Sequence, residues 1–183
     1  MRKLVKGVSL SVLLLAAAGS FAAITPPPDA GPDWRGPDGS TALQWAVYEG
    51  DAERARALIR AGADVGAANN YGANAMQLAA ETADFAMLKL LLDADADADS
   101  PNPEGQTALM LVARTGNVEA AELLVKQGAN VNARENWGEQ TALMWAAARG
   151  HAAMVEFLVE SGADINARSA HRDYPRHVTK EGR

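Results

Sequence analysis

The chain has 183 residues, 48% of them hydrophobic, and its 17 basic and 23 acidic side chains give a net charge of −6. An acidic surface repels phosphate backbones, which argues against nucleic acid as a partner. The sequence contains no cysteine, so disulfides, thiolate zinc sites and cysteine nucleophiles are excluded.

Residues 1–22 have the pattern of a signal peptide. A basic start at residues 2–6 precedes an apolar run at 8–18, and Ser20 and Ala22 provide small side chains at a cleavage site. The run is too short to span a bilayer comfortably. We therefore predict an exported protein, periplasmic or secreted, that does not contact the membrane after cleavage. Cleavage would leave 14 basic and 23 acidic residues, a net charge of −9. The alternative is an uncleaved membrane anchor.

Residues 23–36 are rich in proline and glycine, which predicts an extended linker. Trp34 is the exception within it. An isolated tryptophan in a linker is expected to fold back onto the first helical unit, and contact with a partner is the alternative.

The rest of the chain is built from a unit that recurs four times at a spacing of 33 or 34 residues. The copies begin at Thr41, Asn74, Thr107 and Thr141. A Thr or Asn side chain at this place can accept hydrogen bonds from the free N–H groups of a first helical turn. Glycine then ends the first and second helices of three copies, at Gly50, Gly116 and Gly150 and at Gly62, Gly128 and Gly162. The sequence predicts an all-α solenoid of stacked helix-turn-helix units joined by short hairpin-like turns.

The repeated strings, such as TALQWA from Thr41 and GADIN from Gly162, resemble the ankyrin T-P-L-H-x-A and G-A-D-x-N signatures. The resemblance covers residues 37–167 and implies four ankyrin repeats, at 37–68, 69–101, 102–134 and 135–168. Alanine replaces the proline of the motif in every copy. Its histidine is also replaced, by Gln44, Gln77, Met110 and Met144, so any hydrogen bond that the histidine makes is lost or remade.

The second repeat departs most from the pattern. Ala83 and Asp95 stand where the other copies have glycine. A side chain forced toward positive φ costs on the order of 1 kcal/mol, with Asp less penalised than Ala. We therefore predict that this repeat is the weakest of the array.

The second repeat ends in an acidic loop whose spacing imitates part of a helix-loop-helix calcium site, with Asp93, Asp95, Asp97 and Glu104 at positions one, three, five and twelve. Ala98 occupies the position that needs glycine, and two prolines stiffen the loop. A solvated acidic loop is the favoured interpretation, and a calcium-dependent binding module is kept as an alternative.

Beyond residue 167 the repeat pattern ends. Residues 169–183 are predicted to be a basic tail that folds over the last repeat or the start of a loop to a further repeat, and we favour the second. His171 and His177 lie in this tail, whereas His151 begins a helix, where a structural role is expected. No catalytic motif is recognisable in the sequence, so we predict no enzyme activity, no cofactor and no metal.

The resemblance implies that a protein partner is held by the turn tips and by the exposed ends of the inner helices. These positions are Asp38, Ser40, Tyr48, Glu49, Asn70, Tyr71, Glu81, Thr82, Glu104, Gln106, Arg114, Thr115, Asn136, Trp137 and Arg149. Tyr48, Tyr71 and Trp137 are the predicted anchors, since aromatic residues dominate interface hot spots. Trp45 and Trp145 share a register with leucines and are predicted to pack within the inner layer.

The predicted function is that of an exported, monomeric module that binds another protein through its concave face. The partner is expected to present a basic or aromatic patch to the acidic surface. The alternative is an accessory role, in which the array stabilises another exported enzyme.

Overall fold

The computed structural model describes residues 25–170, and the predicted signal peptide, His171 and His177 lie outside them. Within this range the chain forms eight α-helices and no strand, which confirms the predicted all-α solenoid. The helices are α1 Ala42–Glu49, α2 Ala52–Arg60, α3 Ala75–Thr82, α4 Phe85–Leu92, α5 Ala108–Thr115, α6 Val118–Lys126, α7 Ala142–Arg149 and α8 Ala152–Glu160. None of these helices combines the length and the apolar composition that a membrane span requires.

The helices stack in two layers. The inner helices α1, α3, α5 and α7 each pack on the next inner helix, and the outer helices α2, α4, α6 and α8 pack in the same order. Small buried side chains at Ala46, Ala79 and Ala146 allow the inner helices to approach closely. The buried residues of all four helix pairs form one continuous apolar cluster. Stability therefore comes from the contacts between neighbouring repeats.

Side-chain hydrogen bonds cap the N-termini of three of the four inner helices. Thr41, Asn74 and Thr141 accept a hydrogen bond from the backbone N–H three residues on, at 3.1, 3.0 and 3.4 Å. Thr107 has the same extended backbone but caps nothing, and its Oγ is buried without a partner. The predicted cap at Thr107 is therefore wrong.

Glutamine at the histidine position of the motif links neighbouring repeats. The Oε1 atom of Gln44 accepts from Thr41 N at 2.8 Å, and its Nε2 donates to Ala67 O at 2.9 Å and to Ala73 O at 2.7 Å. Gln77 repeats this arrangement more weakly, with its Nε2 atom 3.4 Å from Ser100 O. The side chain of methionine, at the equivalent place in repeats three and four, has no N–H to donate.

Asp95 and Ala83 take the left-handed conformation that the sequence predicts, with φ of 62° and 48°. Asp95 aligns with Gly62, Gly128 and Gly162, whose φ values lie at 91–92°. Three repeats therefore place glycine where the second places a side chain. That the second repeat is the least stable of the four stays a prediction.

Replacing Asp95 with glycine is expected to raise the free energy of unfolding by about 0.5–1 kcal/mol, because the relieved strain exceeds the entropy that glycine adds to the unfolded chain. Ala86→Gly is the control, since Ala86 is an exposed residue inside α4. There the same new residue should cost about 1 kcal/mol. Urea unfolding measures both variants, and destabilisation of similar size in the two would contradict the assignment of strain to Asp95.

The segment before the first repeat is not an extended linker over its described part. Ala30 N donates to Pro27 O at 3.0 Å, and Trp34 N donates to Gly31 O at 3.2 Å, so the chain turns twice. Arg54 in α2 donates from Nη2 to Pro27 O at 2.9 Å. Trp34 packs against the apolar cluster, as predicted. The segment therefore covers the first repeat.

The last repeat is covered less completely. Only Ala142 and Ala146 of α7 are buried, whereas six residues of α5 are. Val159 and Ile165 are 42% and 69% exposed. Ala170 N donates to Gly138 O at 2.7 Å, so the backbone after α8 continues along the path of the repeats.

Candidate functional site

Each inner helix is preceded by a finger, a tight turn at residues 36–40, 69–73, 102–106 or 135–140. In the first three fingers the leading N–H donates to the carbonyl four residues on, as Asn69 N does to Ala73 O at 2.9 Å. The fourth finger is one residue longer, and Glu135 N donates to Gln140 O at 3.1 Å. Glu139, with φ of 52°, accommodates the inserted residue.

A buried side chain that accepts hydrogen bonds from the backbone holds both the second and the fourth finger in shape. Asn69 is 8% exposed, and its Oδ1 atom accepts from Tyr71 N and Ala73 N, both at 3.0 Å. Glu135, at the equivalent place, is 5% exposed. Its carboxylate accepts at 2.7–2.9 Å from the backbone N–H groups of Trp137, Gly138 and Gln140. The longer side chain with two oxygens spans the extra residue, so the finger that carries Trp137 is fixed by charge-assisted hydrogen bonds.

Hydrogen bonds also join two of the three pairs of neighbouring fingers. Asn70 N donates to Asp38 O at 2.9 Å, and Asn136 N donates to Glu104 O at 2.8 Å. Pro103 occupies the same place in the third finger and has no N–H. Its ring instead lies over Gly72, where an added Cβ would overlap Pro103 Cγ. The fingers therefore form a ladder with one missing bond.

The predicted contact residues differ in exposure. Exposed ones are Tyr48, Glu49, Asn70, Tyr71, Thr82, Thr115, Asn136, Trp137 and Arg149, and partly buried ones are Asp38, Glu81, Glu104, Gln106 and Arg114. Ser40 is fully buried, and its Oγ donates to Asp38 Oδ2 at 2.7 Å. The prediction of Ser40 as a contact residue is therefore wrong, because its hydroxyl is used inside the first finger.

The two tryptophans of the inner layer behave differently. Trp45 is 5% exposed, as predicted, and meets the ring of Tyr48 edge to face at 5.7 Å. Trp145 is only partly buried and lies in a cleft, because no helix in the described range packs beyond α7. Trp145 still packs against the apolar cluster, so its predicted place in the inner layer is confirmed, but it is not fully buried there as Trp45 is.

A series of side-chain contacts connects three inner helices beside this cleft. Arg114 of α5 donates from Nη2 to Glu81 of α3 at 2.5 Å. The same guanidinium lies over the ring of Trp145 in α7, with 5.9 Å from Cζ to the ring centroid. Gln140 Oε1 accepts from Trp145 Nε1 at 3.1 Å. The indole is thus held at its face and at its nitrogen.

The cleft has a volume of about 280 Å³, and it is lined by Arg114, Gln140, Met144, Trp145, Ala148 and Arg149. Only the two arginines were predicted as contact residues. The sequence signal that was missed is the spacing of Trp145 and Arg149, one turn apart on the last inner helix. Their exposure depends on whether another helix packs against the far side of α7, and the repeat register does not specify this.

The acidic loop does not gather its carboxylates. Asp99 accepts from Asn130 N in the next repeat at 2.8 and 3.0 Å through its two oxygens. Asp97 accepts from Asp99 N at 2.8 Å, and Asp93 pairs with Lys89 at 2.8 Å. Within residues 25–170 no three His, Cys, Asp or Glu side chains lie close enough together to hold a metal ion. The calcium alternative therefore has no geometric support in this loop.

His151 has a structural role, as predicted. Its Nε2 atom lies 3.0 Å from Arg114 O and donates to it, because a carbonyl oxygen only accepts. The ring lies so close to Gly116 that an added Cβ would be 2.7 Å from His151 Nδ1. His151 therefore fastens the fourth repeat to the third.

A family model described as ankyrin repeats, in three copies, matches residues 11–102 and 82–169. The two matches overlap and together cover most of the chain. No curated protein is significantly similar to this sequence.

Proposed function

Because the chain belongs to the ankyrin-repeat family, whose members are generally protein–protein interaction modules, we propose that it binds another protein through the fingers and the inner-helix face. We take this face to be the concave side of the solenoid. In this proposal the module has no catalysis of its own, acts as a monomer and is exported by means of residues 1–22.

One observation carries the proposal. Within residues 25–170, the exposed aromatic side chains are Tyr48, Tyr71 and Trp137, at 44%, 47% and 62% exposure. Tyr48 is near the end of the inner helix α1, and the other two are at finger tips. Aromatic side chains are the most frequent interface hot spots. These exposed aromatic side chains lie on the fingers and the inner-helix face and not on the outer helices, which supports the fingers and the inner-helix face as the binding surface.

The hydrogen bonds of the fingers support the same surface. Tyr71 and Trp137 are carried by turns whose backbones are closed internally by Asn69 and Glu135. A binding surface that is already ordered loses less conformational entropy on association. The mechanism we propose is therefore display of fixed side chains, without folding on binding.

The test compares two double variants of the full chain as baits in the exported fraction of the source organism. Tyr71→Ala with Trp137→Ala is expected to weaken capture of the partner by more than about tenfold, since hot-spot truncations cost 2 kcal/mol or more. The control is Glu122→Ala with Lys126→Ala, on exposed positions of α6, and it should capture as the unmodified chain does. Equal capture by all three baits would contradict the proposed surface.

Export is tested separately, by comparing cell fractions for the full chain and for a chain without residues 2–22. The proposal requires the full chain outside the cytoplasm, with a new N-terminus close to Ala22. An intact N-terminus in the cytoplasmic fraction would contradict it.

A further inference from the structure

The cleft at Trp145 differs in charge from the rest of the chain, and this difference suggests what it binds. We propose that it holds an extended acidic segment of the partner protein, with an Asp or Glu carboxylate on Arg149 and a neighbouring apolar side chain on the Trp145 ring. This inference rests on the proposed function and specifies the partner's chemistry.

The lining of the cleft is positive. It includes Arg114 and Arg149 and no carboxylate, although the whole chain has 23 acidic against 17 basic residues. A local positive site in an acidic protein attracts a negative ligand and repels a basic one. The partner patch at this place is therefore acidic, unlike the basic or aromatic patch that the overall charge predicts.

The two arginines are not equivalent. The charge of Arg114 is offset by Glu81 at 2.5 Å, and its guanidinium is occupied by the Trp145 ring. Arg149 is exposed and makes no ion pair or side-chain hydrogen bond with any residue in the 25–170 range. Its planar guanidinium can bind one carboxylate through two hydrogen bonds. Arg149 is therefore the cation that a ligand can reach.

Trp145 supplies a flat apolar wall. Its orientation is set by Gln140 at the indole nitrogen and by Arg114 over the ring. A ring held in this way can receive an apolar side chain without losing rotamer freedom. Met144 lies beside it and extends the apolar surface.

The spacing on α7 fixes the spacing in the ligand. Trp145 and Arg149 are four residues apart on one helix, which separates their Cβ atoms by about 5–6 Å. Side chains two residues apart on one face of an extended segment are about 7 Å apart. The acidic residue and the apolar residue of the ligand should therefore be two positions apart.

The experiment is a selection of short random peptides, displayed between two fixed protein segments so that no terminal carboxylate is free. The baits are the full chain, Arg149→Glu and Arg60→Glu. Arg60 is the matched control because it is also an exposed arginine in the last turn of a helix, but on α2 of the outer layer. Selected peptides are then measured against each bait, against Trp145→Ala and against the double variant Tyr71→Ala with Trp137→Ala.

We expect the full chain and Arg60→Glu to select Asp or Glu two positions from an apolar residue. Arg149→Glu should lose this preference and bind the selected peptides more than about tenfold more weakly. Peptides without an acidic bias, or equal binding to Arg149→Glu, would overturn the inference. If the selected peptides in either case bind the Tyr71→Ala with Trp137→Ala variant more weakly than the full chain, the proposed function survives although the inference fails. Binders indifferent to every change on the fingers and inner helices, or no binders at all, would count against the proposed function itself.

Discussion

Replacing Leu124 with alanine is expected to lower the free energy of unfolding by about 2–5 kcal/mol. Leu124 is fully buried in α6, which packs on α5 within its own repeat and on α4 and α8 of the neighbouring repeats. The substitution removes apolar contact and leaves a cavity that stacked helices can only partly close. Urea unfolding followed by circular dichroism measures the change.

Leu123→Ala is the matched control, because it makes the same chemical change one residue away. Leu123 is only partly buried and lies in an open groove with Phe85 and Lys126 on the outer helices. Its loss should cost less than half as much, since less apolar area returns to water. Equal costs at the two positions would show that the interior of the array is not packed around Leu124 as described.

The fold was predictable because one local pattern occurs four times. A single Thr followed by an apolar run is a weak helix signal, but Thr41 and Thr141 recur in register with glycines at both later turns. Repetition fixed the helix pairs even where single residues depart from the pattern. Thr107 shows the limit, since nothing in its neighbouring sequence distinguishes it from Thr141, although only Thr141 forms the side-chain cap.

The site was less predictable, because register gives the position of a side chain but not its neighbours. Tyr71 and Trp137 are exposed where the finger tips were expected. Ser40, at a finger position, is buried because Asp38 accepts its hydroxyl and Asn69 of the next repeat packs above it, 3.4 Å from Nδ2 to Oγ. The burial of a finger residue thus depends on a side chain about thirty positions away.

Trp45 and Trp145 make the same point. They occupy equivalent places in α1 and α7, and sequence register assigns both to the packed layer. Helix α3 packs against α1, whereas no helix of the described range packs against the far side of α7. Trp145 is therefore partly exposed because α7 is the last inner helix of the described range. The sequence of a single repeat does not show where that repeat lies in the array.

Gln44→Met is expected to lower the free energy of unfolding by about 2–4 kcal/mol, which is unusual for a swap of nearly equal volume. Gln44 is 2% exposed and satisfies three backbone groups, those of Thr41, Ala67 and Ala73. Methionine fills the space but can neither donate nor accept strongly. Thr41 N and Ala67 O therefore lose the partner that Gln44 supplies, at about 1–3 kcal/mol each when fully unsatisfied, whereas Ala73 O keeps its bond from Asn69 N. The urea midpoint should fall with little change in slope.

The repeats themselves suggest why this effect is specific to its place. Methionine is already present at positions 110 and 144, where its side chain cannot make these bonds. Gln127→Met is the control, because Gln127 is exposed at the end of α6 and makes no side-chain hydrogen bond among residues 25–170; its change should stay within about 0.5 kcal/mol. A Gln44→Met variant as stable as that control would mean that the Gln44 hydrogen bonds do not stabilise the junction of the first two repeats, and that Gln44 only fills space as methionine does.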